Sequence, residues 1–242
     1  MDKHAFITGG TKGIGRAVAA LLAQSGYHLL LTYGKDDAAA QEVAAYLQAQ
    51  YHVDVHVLRA DISERSAIDD IIRYISASSL KIDAAVFNAG LTCREPFESM
   101  APEEWERVFF ANVHFPVFLL QQLVKYMNID GSIVFTGSLM GIEPHAMSLS
   151  YGVTKAAVHA LTKNLVKFLT PYRIRVNAVA PGFVNTDWQK NKPEAIRRSI
   201  ESKIAAGRFC DPDELAVVYK MLIENSYFNG EVVVVGGGYS YK

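Results

Sequence analysis

The chain has 242 residues, half of them apolar, which is enough to bury a large core. Its 24 Lys and Arg against 25 Asp and Glu leave a formal net charge of −1, so no nucleic-acid or membrane-binding surface is indicated. The two cysteines, Cys93 and Cys210, form no C-x-x-C pattern, and we predict no metal site. No apolar leader or run of ~18 apolar residues stands out, so we expect a cytoplasmic protein.

Apolar, β-prone runs alternate with helical patterns along the chain. The predicted strands lie near 3–8, 28–33, 53–58, 84–88, 132–137, 174–180 and 231–235. The predicted helices lie at 14–25, 37–50, 64–78, 102–127, 150–169 and 212–223. This alternation indicates right-handed β-α-β crossovers and a parallel sheet with helices on both faces. We predict a single α/β domain, residues 1–242, with a doubly wound seven-stranded Rossmann fold that binds ligands at the carboxyl ends of its strands.

A glycine-rich turn joins the first predicted strand to the first helix. Its sequence is Gly9-Gly-Thr-Lys-Gly13-Ile-Gly15. Glycines allow a tight turn and a close approach of a pyrophosphate, and the helix N-terminus offers free N–H groups to its charge. The G-x-x-x-G-x-G spacing differs from G-x-G-x-x-G, and no Gly-Lys-Ser/Thr follows as in a kinase-type phosphate loop. A dinucleotide loop is favoured over a merely structural turn.

Tyr151 and Lys155 are four residues apart on a predicted helix and therefore share a face. A phenol titrates near ~10, and a neighbouring cation lowers its pKa. The pair therefore predicts a general acid/base for an alcohol or carbonyl, although many Tyr-x-x-x-Lys pairs lie on ordinary helix surfaces. The rest of the chain decides between the two interpretations.

With its other motifs, the chain resembles the short-chain dehydrogenase/reductase family nearly end to end. Gly9, Gly13 and Gly15 match the family's cofactor loop. The further matching motifs are Asn88-Ala89-Gly90, the tetrad Asn112, Ser138, Tyr151 and Lys155, and Pro181-Gly182 after the sixth strand. Two positions depart from the pattern: Phe87 replaces an Asn, and Gly236 replaces an Asp in the last strand. Neither touches the expected catalytic atoms.

The resemblance implies hydride transfer between a nicotinamide cofactor and a carbonyl or secondary alcohol. Tyr151 is expected to be the general acid, and Lys155 to lower its pKa and bind the nicotinamide ribose. Ser138 is expected to donate to the substrate oxygen, and Asn112 to hold a water behind Lys155. A non-catalytic dinucleotide sensor on the same fold is the alternative class, and the intact Ser–Tyr–Lys set argues against it.

The resemblance also implies a set of cofactor-binding residues. It comprises Gly9, Thr11, Lys12, Gly13, Ile14, Gly15, Tyr33, Lys35, Asp61, Ile62, Asn88, Ala89, Gly90, Tyr151, Lys155, Pro181, Gly182, Val184 and Thr186. At Tyr33 the NAD-binding members carry an acidic residue. With Lys12 and Lys35 nearby, we expect NADP(H), while Asp36 and Asp37 leave NAD(H) open. Asp61 and Ile62 are expected to bracket the adenine. The alternative for Asp61 is the N-cap of the next helix, a role that Ser63 could fill instead.

Within the family, the chain is most similar to 3-oxoacyl-(acyl-carrier-protein) reductases. This implies an acyl-thioester substrate, with 183–206 as the variable substrate lid. The lid carries Trp188 and a cationic cluster: Lys190, Lys192, Arg197 and Arg198. The basic residues that dock the carrier protein are replaced by Asn128-Ile-Asp130, which disfavours such docking and leaves a small ketone, sugar or steroid-like substrate open. The resemblance further implies a homotetramer, paired through helices 102–127 and 150–169.

Overall fold

The structure, a computed structural model, describes residues 2–144, 146–190 and 192–241. Its strands form one parallel seven-stranded sheet in the order β3-β2-β1-β4-β5-β6-β7. They are β1 Lys3–Thr8, β2 Tyr27–Tyr33, β3 Val55–Arg59, β4 Ile82–Phe87, β5 Met127–Thr136, β6 Arg175–Pro181 and β7 Val232–Val235. The strand order reverses between β1 and β4, which opens a crevice at their carboxyl ends. The predicted doubly wound α/β fold is confirmed.

The helices cover both faces of this sheet. They are α1 Gly13–Gln24, α2 Asp37–Tyr51, α3 Ser66–Ala77, α4 Pro102–Phe109, α5 Phe115–Leu123, α6 Leu149–Leu169, α7 Asp187–Lys190, α8 Glu194–Glu201 and α9 Pro212–Glu224. Because side chains alternate along a strand, Ala5 and Ile7 of β1 face the core under α1, α2 and α9, and Phe6 faces the core under α3, α5 and α6. The sheet is therefore apolar on both sides, as parallel sheets require.

The predicted helix 102–127 differs most from the structure. In the structure, a π-helical turn at Phe110–His114, with backbone hydrogen bonds from residue i+5 to residue i, separates α4 from α5. The strand β5 already begins at Met127. The helical run Pro102–Tyr126 is long and apolar enough to cross a membrane by length and composition, and 44% of its most apolar window is buried inside the protein. Buried Phe115, Leu119 and Leu123 pack it on the sheet, as expected of a core helix.

Candidate active site

The glycine loop forms a tight cradle at the N-terminus of α1. Gly9 and Gly13 have φ of 63° and 51°, which few other residues adopt. A Cβ on Gly15 would lie 2.1 Å from the Gly9 carbonyl oxygen, so only glycine fits there. The first turn of α1 has neither a side-chain cap nor an acidic residue. The loop thus offers a close backbone surface and helix N–H groups, which fits the pyrophosphate of a dinucleotide.

Asn88 ties β4 to this loop across the switch in strand order. Its backbone N–H donates to Thr8 Oγ1 at 2.9 Å, and its side-chain amide donates to the carbonyls of Thr8 and Gly9 at 3.2 and 3.3 Å. The Ala89 N–H donates to the same threonine oxygen at 3.1 Å. The Asn-Ala-Gly turn therefore fixes the shape of the glycine cradle.

Charged side chains gather where β2 ends. Lys12 of the glycine loop forms an ion pair with Asp36, whose other carboxylate oxygen accepts from Ala39 N–H at 3.1 Å and caps α2. These bonds lower the pKa of Asp36. Asp37 hydrogen-bonds the Tyr33 side chain instead. Lys12 thus lies beside the segment that follows β2, and it already has a carboxylate partner.

Asp61 and Ile62 follow β3 at the same edge of the sheet. Asp61 accepts from the backbone N–H of Ser63 at 3.0 Å and from its hydroxyl at 2.7 Å. Burial raises the pKa of Asp61, but these bonds and the charge of Lys35 outweigh it and lower the value. The alternative that Asp61 or Ser63 caps the next helix is wrong, because α3 begins only at Ser66 and Asp61 closes a local turn instead.

Ser138 and Tyr151 meet between the end of β5 and the first turn of α6. The Ser138 hydroxyl accepts from Met140 N–H at 3.1 Å and hydrogen-bonds the Tyr151 side chain. Ser148, the N-cap of α6, accepts from the Tyr151 N–H at 3.3 Å and holds this turn. The two hydroxyls therefore face one small volume.

Lys155 lies one turn further along α6 and is almost fully buried. Its Nζ donates to the Thr136 carbonyl at 2.6 Å and lies 5.4 Å from the centre of the Tyr151 ring. Burial lowers the pKa of Lys155 to about 8 and raises that of Tyr151 to about 12. The hydrogen bond between Tyr151 and Ser138 opposes this rise in the Tyr151 pKa.

Asn112 lies in the π-helical turn between α4 and α5, and that turn aims its amide at the site. Asn112 accepts from Leu91 N–H at 2.7 Å and donates to the Leu91 carbonyl and to Thr154 Oγ1, both at 2.9 Å. A cavity of about 10 Å³ borders Asn112 and Lys155. That is close to the smallest volume that holds one water molecule.

His159 is a site residue that the sequence analysis did not single out. Its Nε2 accepts from the Ser138 N–H at 3.3 Å, and a Cβ on Gly137 would lie 2.2 Å from the same nitrogen. Burial and the charge of Lys155 lower the pKa of His159 to about 4, so the ring is neutral. It supports the turn that carries Ser138. The sequence pattern could have indicated this residue, because His159 continues the four-residue spacing of Tyr151 and Lys155 on one helix face.

A cleft of about 490 Å³, here called the main cleft, opens over Ser138 and Tyr151. Trp188 of α7 covers Tyr151, with ring centres 6.2 Å apart. The expected cofactor residues at and after the end of β6 line the same cleft: Pro181, Gly182, Val184 and Thr186. Lys190 belongs to α7, and its side chain lies outside the described residues.

Four segments that are distant in sequence therefore converge on one crevice. The glycine loop, the Asn88 turn, the Ser138 turn and the α6 face meet beside the main cleft, and Gly90 lies against both Asn112 and Lys155. A crevice with these groups defines an α/β oxidoreductase that uses a dinucleotide. A family model described as short chain dehydrogenase matches residues 3–197. The chain belongs to the short-chain dehydrogenase/reductase family.

Curated relatives match over nearly the whole chain. A protein of Aquifex aeolicus named 3-oxoacyl-(acyl-carrier-protein) reductase FabG is 34% identical, with 98% of this chain and 96% of the relative covered. One of the same name from Thermotoga maritima is 35% identical, with 98% and 97% covered. The solved structure of L-sorbose reductase from Gluconobacter frateurii, complexed with NADPH and L-sorbose, is 28% identical, with a TM-score of 0.91 and 100% and 97% covered.

Proposed function

We propose that this enzyme is an NADP(H)-dependent ketoreductase that acts on 3-oxoacyl thioesters. The observation that carries the proposal is the Ser138–Tyr151 hydroxyl pair, with buried Lys155 behind it, at the main cleft. The names of the Aquifex and Thermotoga relatives support the substrate class. A reductase of a small ketone, sugar or steroid-like carbonyl is the second candidate, and the sorbose reductase structure supports it.

Most of the proposed cofactor residues come from the segments at the carboxyl ends of the strands. They are Gly9, Thr11, Lys12, Gly13, Ile14, Gly15, Tyr33, Lys35, Asp61, Ile62, Asn88, Ala89, Gly90, Tyr151, Lys155, Pro181, Gly182, Val184 and Thr186. The bound nicotinamide supplies the hydride. Two features support NADP(H): Tyr33 occupies the position of the usual acidic residue, and Lys12 lies beside the end of β2, close to where a ribose 2′-phosphate belongs.

The chain's own groups would handle the proton. Tyr151 donates its phenolic proton to the carbonyl oxygen in reduction, and Ser138 donates a hydrogen bond to the same oxygen. Each hydroxyl has a single proton, so the mutual hydrogen bond is given up when both hydroxyls donate to the bound substrate oxygen. Lys155 provides positive charge that favours the phenolate formed, and the small cavity beside Asn112 accommodates a water that returns the proton.

The proposal also includes a substrate lid, a homotetramer and a cytoplasmic location. Segment 183–206 acts as a substrate lid of a single domain, since Trp188 lies on Tyr151. Exposed Val153 and Phe168 on α6 support a homotetramer, and the relatives' name supports a cytoplasmic location. Acyl carrier protein docking stays disfavoured, because Asp130 forms a two-pronged ion pair with Arg173 and so neutralises that cation.

The test is NADPH oxidation by acetoacetyl N-acetylcysteamine, followed at 340 nm, with NADH and a panel of simple ketones in parallel. Turnover of the thioester with NADPH is expected. Turnover of only a ketone or sugar would transfer the proposal to the second candidate, and a preference for NADH would contradict the cofactor assignment. Cofactor binding without turnover of any carbonyl would indicate the sensor class.

A further inference from the structure

We infer that the natural substrate carries an oxyanion, a carboxylate or a phosphate, that binds three cations of the main cleft. Arg94, Lys192 and Lys203 all line this cleft, and the described lining residues include no Asp or Glu. The inference rests on the proposed function, because it names a property of the carbonyl substrate. Arg94 and Lys203 are exposed while Ser138 is buried, so the positive charge lies on the solvent side of the reacting centre.

Arg94 is held at the cleft by the chain just before it. Leu91 is fixed by the two backbone hydrogen bonds to Asn112. The Thr92 hydroxyl donates to Ser148 at 3.0 Å, and Ser148 caps the helix that carries Tyr151. The base of the Arg94 side chain is thereby tied to the same framework as the catalytic tyrosine.

The two lysines come from either end of α8. The Lys192 N–H donates to the Gln189 carbonyl at 3.1 Å, which closes the turn between α7 and α8. Lys203 follows α8, where Ile204 is buried and the Ala206 N–H donates to the Gly237 carbonyl at 3.0 Å. Three segments that pack independently therefore direct cations into one cleft.

These three cations differ from Arg197 and Arg198 of the lid, which have carboxylate partners. Arg198 forms an ion pair with Glu194, and Arg197 with Glu201 at 3.8 Å, each one turn away on α8. No described carboxylate pairs with Arg94, Lys192 or Lys203. Burial lowers the pKa of Lys192 and the charge of Arg94 lowers it further, so the two cations repel each other. An anion placed between them relieves this repulsion.

The rest of the cleft is mainly apolar between the cations and the hydroxyls. Trp188, Ile196 and Met140 contribute to its walls. This arrangement suits a molecule with a carbonyl at one end, an apolar stretch and a charged group, more than an uncharged polyol. Both a phosphate-bearing thioester and a free oxo acid have that chemistry.

The experiment compares matched pairs of substrates that differ only in charge, at saturating NADPH. One pair is acetoacetyl coenzyme A and acetoacetyl N-acetylcysteamine, and the other is a medium-chain oxo acid and its methyl ester. The variants are Arg94→Gln, Lys192→Gln and the double variant. Arg198→Gln is the matched control, since Arg198 belongs to the same lid but is paired with Glu194. The dissociation constant for NADPH is measured for each variant.

We expect kcat/KM for the charged member of at least one pair to fall about tenfold in Lys192→Gln or Arg94→Gln. In the same variants, kcat/KM for the neutral member and the dissociation constant for NADPH should change less than about twofold. A response in the coenzyme A pair identifies a phosphate, and one in the oxo acid pair a carboxylate. Equal losses for charged and neutral members, or no preference for either charged member in the wild type, would overturn the inference. Turnover of the neutral thioester would still stand as evidence for the proposed function.

A second measurement uses only the wild type, so it tests the inference even if the variants do not fold. In the wild type, raising the ionic strength from ~0.02 to ~0.5 M should lower kcat/KM for the charged member and leave that of the neutral member nearly constant, because salt screens the attraction. An identical salt response of both members would contradict the inference without any variant.

Discussion

The Lys12 ammonium binds the Asp36 carboxylate at the point where the glycine loop meets the end of β2. About half of each side chain is exposed, 53% and 47%, so the pair is accessible to a ligand. A 2′-phosphate at this place must compete with the carboxylate for the lysine, whereas a 2′-hydroxyl can hydrogen-bond the carboxylate itself. We therefore expect the pair to influence the choice between NADP(H) and NAD(H).

Replacing Asp36 by Asn should strengthen NADPH binding. Removal of the carboxylate frees Lys12 for the phosphate and removes a repulsion, and for exposed charges we expect about a fivefold lower dissociation constant. Fluorescence titration with NADPH and NADH measures it. The matched control is Asp70→Asn, because Asp70 pairs with Arg73 on the surface of α3. If NADPH and NADH affinities rise equally, the competition argument is wrong.

Replacing Tyr151 by Phe should abolish turnover while NADPH binding survives. The change removes one hydroxyl, which is the expected proton donor, and we expect kcat to fall at least about 10²-fold. Stopped-flow turnover and a binding titration on the same preparation check this. A variant that retains most of its activity would transfer the acid role to another group.

Replacing Gly15 by Ala should abolish cofactor binding. A Cβ there would lie 2.1 Å from the Gly9 carbonyl and 2.7 Å from the Asn88 amide, so the cradle must open. Gly34→Ala is the control, because a Cβ on Gly34 meets no atom within 4 Å. Circular dichroism verifies folding, and titration with NADPH measures affinity. Unchanged affinity in Gly15→Ala would show that the loop does not hold the cofactor.

His159 should make stability depend on pH below neutrality. The pKa of His159 is lowered from 6.5 to about 4 in the folded protein. As the pH falls, the unfolded chain therefore protonates this ring at a higher pH than the folded protein does. The stability linked to the neutral His159 ring is fully present above pH ~6.5 and is lost as the pH falls toward 4. The loss in the free energy of unfolding is at most roughly 3 kcal/mol. Urea unfolding of the wild type and His159→Gln at pH 5 and 7.5 measures it.

The His159→Gln variant should lose less stability than the wild type between these two pH values, because it lacks the titrating ring. It should also lower kcat, since the Ser138 N–H loses its partner and the turn carrying the serine is less firmly held. An equal loss of stability in both proteins would show that the ring is not the group that titrates.

The sequence by itself determined the α/β alternation, the glycine loop and the spacing of Tyr151 and Lys155, while Asn112 and Ser138 were expected only from the family resemblance. These are local properties: period-2 and period-3.6 patterns, the conformations open only to glycine, and the fixed geometry that puts Tyr151 and Lys155 on one helix face. The boundaries of β3 and β5 and the π-helical turn around Asn112 were missed, because packing and hydrogen bonds to other segments decide where an element ends.

Only the tertiary structure decided how distant side chains pair. Lys12 and Asp36 both follow strands of a parallel sheet, and the crossover brings those strand ends together. Lys155 donates to the Thr136 carbonyl because a buried ammonium needs a partner. The gathering of Arg94, Lys192 and Lys203 likewise depends on where three loops pack, which no spacing along the chain encodes.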